Sequence, residues 1–277
     1  MATTQTFRLP DPQTGLFPNV RLGRDISNYG GVFGYLPGAS PESRPPIYGA
    51  PFTRAPYFER PSPTDTPRDL FIHDASEDTR GDLCHPEAHR LVRRTNDRER
   101  LVYVDGSCLD QNDSTNAVIR RAGCGFVFRP APYAVKDRVE SFRLEAKGPT
   151  GVESPQTSNR AELRAAIGAL QFRRWDGEGS DRLVIATDSE YVVLGITHRI
   201  EDWVARRWRT SAGKAIKNKD LWECLLAEVN KFAQQGMEVV FWRIPREWND
   251  EADAAAKEAA RTLEPKAEFV TLSGVLV

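Results

Sequence analysis

The chain has 277 residues and a formal net charge of −1. It is long enough for one large or two small domains, and it has no overall basic surplus with which to hold nucleic acid by charge alone. Hydrophobic residues make up 40% and charged residues 28%, an ordinary soluble composition. The four cysteines, Cys84, Cys108, Cys124 and Cys224, include no Cys-x-x-Cys pair, which argues against a zinc ribbon or a disulfide framework and fits a reducing interior.

Composition divides the chain near residue 98. Thirteen of the 19 prolines lie before that point, and stretches such as Pro41–Pro46 and Arg60–Pro67 cannot hold helix or central strand. The expectation for residues 1–98 is a largely irregular, Pro-rich arm ending in a basic linker (Arg90, Arg93, Arg94, Arg98, Arg100). The alternative is that its aromatics, among them Phe33, Tyr35, Tyr48, Phe52, Tyr57 and Phe58, dock on the following domain or on a protein partner. The first 24 residues weakly suggest a mitochondrial presequence, against which Asp11 and three prolines count. An intracellular protein is expected, in nucleus or cytoplasm ahead of mitochondrion. No apolar run is long enough to span a bilayer, and no secretory core follows Met1.

From residue 101 the pattern alternates. Leu101–Asp105 reads as a buried strand, and 122–129 as a second whose glycines mark close backbone approach. A long polar turn is expected between them, over 107–121. Val139–Ala146 reads as a third strand. Thr157 and Ser158 offer N-caps to a helix running to Leu170, with a wide apolar face. Arg182–Thr187 is a fourth strand ending at Asp188. Helices are expected over 189–197, 200–208 and 220–235, a fifth strand over 237–242, and a last helix over 250–261 with Asn249 as its cap. This order implies a mixed sheet with helices packed on it.

Four acids stand out. Asp105 and Asp188 end strands too apolar to carry a charge idly, because desolvating a carboxylate is costly. Glu162 falls about one turn inside a helix start and Asp253 in the first turn of its helix, where an acid alone would usually just complement the dipole. Four carboxylates without Cys or a nearby His form a hard-cation ligand set, suited to Mg²⁺ or Mn²⁺ rather than Zn²⁺. Such a site points to phosphoryl chemistry, with two ions about 4 Å apart activating a water and stabilising the leaving oxygen.

Tyr103–Ser107, Thr157–Glu162, Thr187–Tyr191, Lys217–Trp222 and Asn249–Asp253, in this order, resemble the motifs of type 1 ribonuclease H domains over about residues 101–261. The resemblance implies an α/β, RNase H-like fold: a five-stranded mixed sheet with helices on both faces, over residues 99–263, followed by a tail at 264–277. It implies Asp105, Glu162, Asp188 and Asp253 as the catalytic, metal-binding quartet, with Asp105 bridging two Mg²⁺ ions and Mn²⁺ able to substitute. The implied activity is hydrolysis of the RNA strand of RNA–DNA hybrids, leaving 5′-phosphate and 3′-hydroxyl ends, by a monomer with no membrane association. It further implies nucleic-acid contacts at Ser107, Thr157, Asn159, Trp203, Asn218 and Lys219. Between Arg199 and Lys219, seven basic residues face two acids and are interleaved with Trp203 and Trp208, a pattern suited to tracking phosphates.

Two departures from the family pattern stand in the sequence. The loop Arg243–Trp248 carries no His where many relatives have one, leaving Arg246 or Glu247 as substitutes. Glu190 stands where relatives often carry a neutral amide. A hybrid- or double-strand-binding protein with weak or lost cleavage is the alternative reading. An exonuclease or integrase of the same broad fold ranks last, because those lack the Asn-Arg-x-Glu and Lys-Asn-x-Asp-Leu-Trp runs.

Overall fold

The structure, a computed structural model, describes residues 54–73, 90–112, 118–129 and 139–274. Contacts divide the chain into Met1–Pro37 with Val277, and Gly38–Leu276; everything described belongs to the second unit. The suggested presequence and the aromatics Phe33, Tyr35, Tyr48 and Phe52 lie outside the described residues.

Among the described residues seven strands form one sheet: β1 (Phe71–His73), β2 (Leu91–Arg93), β3 (Asn96–Asn112), β4 (Val118–Val127), β5 (Val139–Arg143), β6 (Arg182–Thr187) and β7 (Glu238–Arg243). β3 is central: it pairs antiparallel with β4 and parallel with β6, which pairs parallel with β7. The five expected strands are β3 to β7. β1 and β2 are additions, built from residues that the sequence reading places in the irregular arm and linker. Their origin is geometric. β3 reaches back to Asn96, whereas its pairing with β4 stops at Tyr103 opposite Val127. The backbone before Tyr103 would be left open on that side, and β2 fills it, with Leu91 opposite Leu101 and Val92 opposite Arg100.

β3 is also longer at its other end than expected. Gly106–Ser107 does not begin a turn; pairing with β4 continues to Asn112 opposite Val118. Gly106 serves close packing instead, since a Cβ there would lie 2.1 Å from the backbone nitrogen of Glu162.

The helices are α1 (Pro67–Leu70), α2 (Ser158–Phe172), α3 (Glu190–Leu194), α4 (Ile200–Ala205), α5 (Lys219–Gln234) and α6 (Asp250–Thr262). α3 and α4 are joined by a π-helical turn, Gly195–Arg199, where the sequence suggests a break. Trp222 explains the glycine there: a Cβ on Gly195 would meet its ring at 2.0 Å.

One sheet face packs on α2 and α5, burying Val102, Val104, Phe126, Leu163, Ile167 and Leu225 in the main core. The other face is shared. Over β4, α6 approaches so closely that a Cβ on Gly123 would sit 2.3 Å from the carbonyl oxygen of Ala256. Over β3, β6 and β7, a second apolar cluster joins Leu101, Val184, Val240 and Trp242 to Phe58 and Phe71 from the arm. Pro56 and Phe58 also run beside β7: Phe241 N–H donates to Pro56 O at 3.0 Å and Phe58 N–H donates to Phe241 O at 2.8 Å. Docking of the arm's aromatics on the domain therefore holds for Phe58. Burying a Phe side chain fully is worth about 1.5–3 kcal/mol, enough to fix a segment whose prolines already restrict it in the unfolded chain.

The tail after α6 is anchored too. Ala146 and Lys147 N–H groups donate to Lys266 O and Ala267 O, each at 3.0 Å. Among the described residues no helix is long and apolar enough to cross a membrane.

Candidate active site

The parallel register of β3 and β6 places Tyr103 opposite Ala186. Two residues further on come Asp105 and Asp188, so the strand pairing itself sets these carboxylates side by side. Glu162 arrives from α2, whose start is fixed by the Thr157 side chain accepting from Arg160 N–H at 3.3 Å. The Gly106 contact brings that turn of α2 against β3. Asp253 lies in the first turn of α6.

Asp105 is buried, at 6% exposure. Its pKa is pushed up to about 8, by burial first, then by the charge of Asp188, and to a lesser degree by Asp253 and Glu162; the Gly106 N–H pulls the other way. Burial raises the Glu162 pKa as well, Asp188 adding to the shift while the Ser189 hydroxyl and Arg246 oppose it. The four acids named from sequence thus share one electrostatic neighbourhood.

They are not closed into a ligand cage. Among the described residues no group of three or more His, Cys, Asp or Glu side chains stands ready to hold an ion. Several of the acids are turned to protein donors. Asp253 pairs with Arg246 at 3.0 Å and Lys257 at 2.6 Å. The Ser189 hydroxyl donates to Glu162 Oε2 at 2.5 Å. The Asn249 amide donates to Asp188 Oδ1 at 2.9 Å. Asp105 itself has no ion pair among the described residues. A buried, uncompensated acid with three further carboxylates around it is a set that a divalent cation fits.

Asn249 corrects an expectation. Its side chain makes no cap hydrogen bond to α6; it ties Val104 O, at 3.0 Å, to Asp188, and its Oδ1 is buried with no hydrogen-bond partner. Ser189, Lys257 and Arg160 were not foreseen. Ser189 carried a visible signal, because a serine directly after Asp188 and before a helix is a cap, and it does cap α3 through Val192 N–H. Arg160 binds Asp220 in a fork at 2.9 and 2.7 Å and so ties the starts of α2 and α5 together.

The expected nucleic-acid contacts fall on one connected stretch of elements. Asn159 is exposed on the first turn of α2, beside the Thr157 cap, and Ser107 is half-buried on β3. Asn218, at φ 57°, precedes α5 and donates to the Tyr191 hydroxyl at 3.1 Å. Lys219 is exposed, 3.4 Å from Glu223. Trp203 and Trp208 are half-buried against the main core, Trp203 edge-on to Trp222 at 5.2 Å. Both pack inward, while Arg206, Arg207, Arg209, Lys214 and Lys217 stand exposed. Glu190 is not a bare charge: Arg243 pairs with it at 2.9 Å.

A mixed sheet with acids gathered on its central strands and their flanking helices defines a hydrolase of the RNase H-like α/β class. The RNase H family matches residues 97–261. Ribonuclease H of Treponema pallidum is 38% identical over 166 residues, covering 58% of this chain and 89% of that protein. Ribonuclease H of Dinoroseobacter shibae is 34% identical over 167 residues, 60% of this chain and 94% of that one. Human Ribonuclease H1 is 32% identical over 170 residues, 59% of this chain and 51% of that protein. The chain belongs to the ribonuclease H family and is a ribonuclease H enzyme.

Proposed function

We propose that this protein is an endoribonuclease that hydrolyses the RNA strand of RNA–DNA hybrids with two Mg²⁺ ions, leaving 5′-phosphate and 3′-hydroxyl ends. The observation that carries the reading is Asp105, a buried acid without an ion pair among the described residues, on which three other acids act. Asp105, Glu162, Asp188 and Asp253 would hold the metal, with Mn²⁺ able to replace Mg²⁺. Bound metal supplies an acidic water and charge stabilisation for the leaving oxygen.

The protein's own groups prepare the site. Asn249 holds Asp188 against β3. Arg246 and Lys257 pair with Asp253, at 3.0 and 2.6 Å, and hold it beside the other acids. The exposed cations between Arg199 and Lys219 would track phosphates on the uncut strand. Thr157 and Asn218, linked through Arg160 and α5, would pocket a phosphate of the DNA strand with Lys219 beside them, Asn159 would reach the minor groove, and Ser107 would lie near the 2′-hydroxyls that distinguish RNA.

The test is cleavage of a labelled hybrid in Mg²⁺ and in Mn²⁺, with the ends of the product mapped. Cutting of the RNA strand alone, at internal sites and with 5′-phosphate ends, is expected. Hybrid binding without cleavage in either metal would overturn the reading.

A further inference from the structure

The strap formed by residues 54–73 lies outside the stretch that the family matches, which begins at residue 97. It nevertheless gives Phe58 and Phe71 to the second apolar cluster, and that cluster extends to the active-site loop. Phe58 and Phe71 stack beside Trp242 on β7, with ring centroids at 4.6 and 6.4 Å. The Arg93 guanidinium covers both phenyl rings, at 5.1 and 5.9 Å. Ile244, directly after β7, is buried in the same cluster, and Leu70 and Trp248 pack against it.

Between Ile244 and Trp248 lies the loop that carries Arg246, and Asn249 follows at once. Its start is pinned and its turn is closed: Ile244 N–H donates to Thr187 O, next to Asp188, and within the loop Asn249 N–H donates to Arg246 O, each at 3.0 Å. The side chains that reach the acids, Arg246 to Asp253 and Asn249 to Asp188, leave from this short segment. Whatever fixes Ile244 and Trp248 fixes them. Charge gives an independent sign of the same proximity: Arg68 on α1 acts on Tyr103 together with Asp250 and Glu251 of the first turn of α6.

We infer that the N-terminal strap, through Phe58, Leu70 and Phe71, is a positioning element for catalysis, holding Ile244 and Trp248 so that Arg246 and Asn249 face the carboxylates. The strap touches neither substrate nor metal in this role. The inference rests on the proposed reading only for its kinetic readout.

The experiment compares the full chain with Phe71→Ala, Phe71→Leu, Trp248→Ala and the Phe71→Ala/Trp248→Ala pair, well below the melting temperature of each. Phe232→Ala, a truncation in the main core on the other sheet face, is the control. Hybrid cleavage gives kcat and KM, and amide hydrogen exchange follows residues 244–249. Phe71→Ala is expected to lower kcat about fivefold at unchanged KM and to speed exchange at 244–249 about tenfold without affecting α2. Phe71→Leu is expected to restore most of both. The paired variant should be no slower than Trp248→Ala alone, because both act through the same apolar cluster on the same loop. Phe232→Ala should lower the melting temperature and leave kcat in place. Wild-type kcat and wild-type loop exchange in Phe71→Ala would overturn the inference. So would a paired variant whose losses multiply. A wild-type chain that failed to cleave would count against the nuclease reading alone, and exchange would still decide the role of the strap.

Discussion

Glu145 and Asp105 are buried to nearly the same degree, 5% and 6% exposed, and the fold treats them in opposite ways. Glu145 receives three hydrogen bonds from the fully buried Arg164, whose guanidinium is sandwiched by Phe142 and Phe269 at 4.7 and 4.4 Å. Glu99 likewise meets Arg93 and Arg182, and Glu178 meets Arg90. Asp105 meets other acids. A chain that supplies a guanidinium to each of those buried carboxylates leaves this one uncompensated, so the missing cation is a property of the site. A buried charge without compensation is unstable on its own; the arrangement makes sense when a divalent ion completes it.

The largest effect that would break this contrast is catalytic. Asp105→Asn should lower hybrid cleavage at least about 1,000-fold, the scale of several kcal/mol of metal charge stabilisation, while hybrid affinity changes little. Retained turnover in a gel assay would show that Asp105 is merely another buried acid. Next comes the structural pair. Arg164→Met should cost about 3–5 kcal/mol, because it strands Glu145, and should lower the melting temperature by roughly 10 °C. Cleavage measured well below the melt should stay within a few-fold of wild type.

Smaller, and opposite in character, is the effect of pH on the metal-free protein. Asp105 moves from its ordinary 3.8 to about 8 on folding, so across that window the native state holds a proton that the unfolded chain has released. Stability therefore falls as pH rises, and Glu162 acts in the same direction. A decrease of about 5 °C in melting temperature between about pH 5 and about pH 8 is expected. Asp105→Asn or saturating Mg²⁺ should flatten it, and a metal-free melt indifferent to pH would contradict the burial argument.

Asn249→Ala removes the amide that joins Asp188 to β3. A loss of about 1–2 kcal/mol in stability and about tenfold in kcat is expected, measured by thermal melts and by the hybrid assay. The smallest effect belongs to the exposed pair Arg243–Glu190. Glu190→Gln should change stability by less than about 0.5 kcal/mol and lower KM for the hybrid by up to about twofold at low salt, since it frees Arg243.

Much of the site was legible because its residue types are chemically unusual where they stand. Asp105 and Asp188 follow apolar strands, and a parallel register then sets them together. What stayed hidden depended on partners distant in sequence. Nothing near Asn249 indicates that its amide would bridge Val104 and Asp188 rather than cap α6. The pairing of Asp253 with Lys257 was available at helical spacing, but Arg246 reaches it from a loop. In the fold, Gly106 stands just before the expected turn at 107–121; glycine marks both turns and close packing, and only the passage of α2 decides between them. The short β2 was invisible for a similar reason: Leu91–Arg93 has no strand signal of its own and pairs because β3 overshoots β4.

The segment around Tyr57 has one more effect. Among the described residues β7 is the last strand on its side of the sheet, and its outward hydrogen-bonding groups would otherwise present a template on which another chain could stack. Tyr57 bridges to Phe241 in parallel, and Pro56, beside it, has no amide hydrogen to offer a further strand. The strap thus covers the flank of β7 at Phe241, so a chain trimmed past residue 58 would leave that flank open.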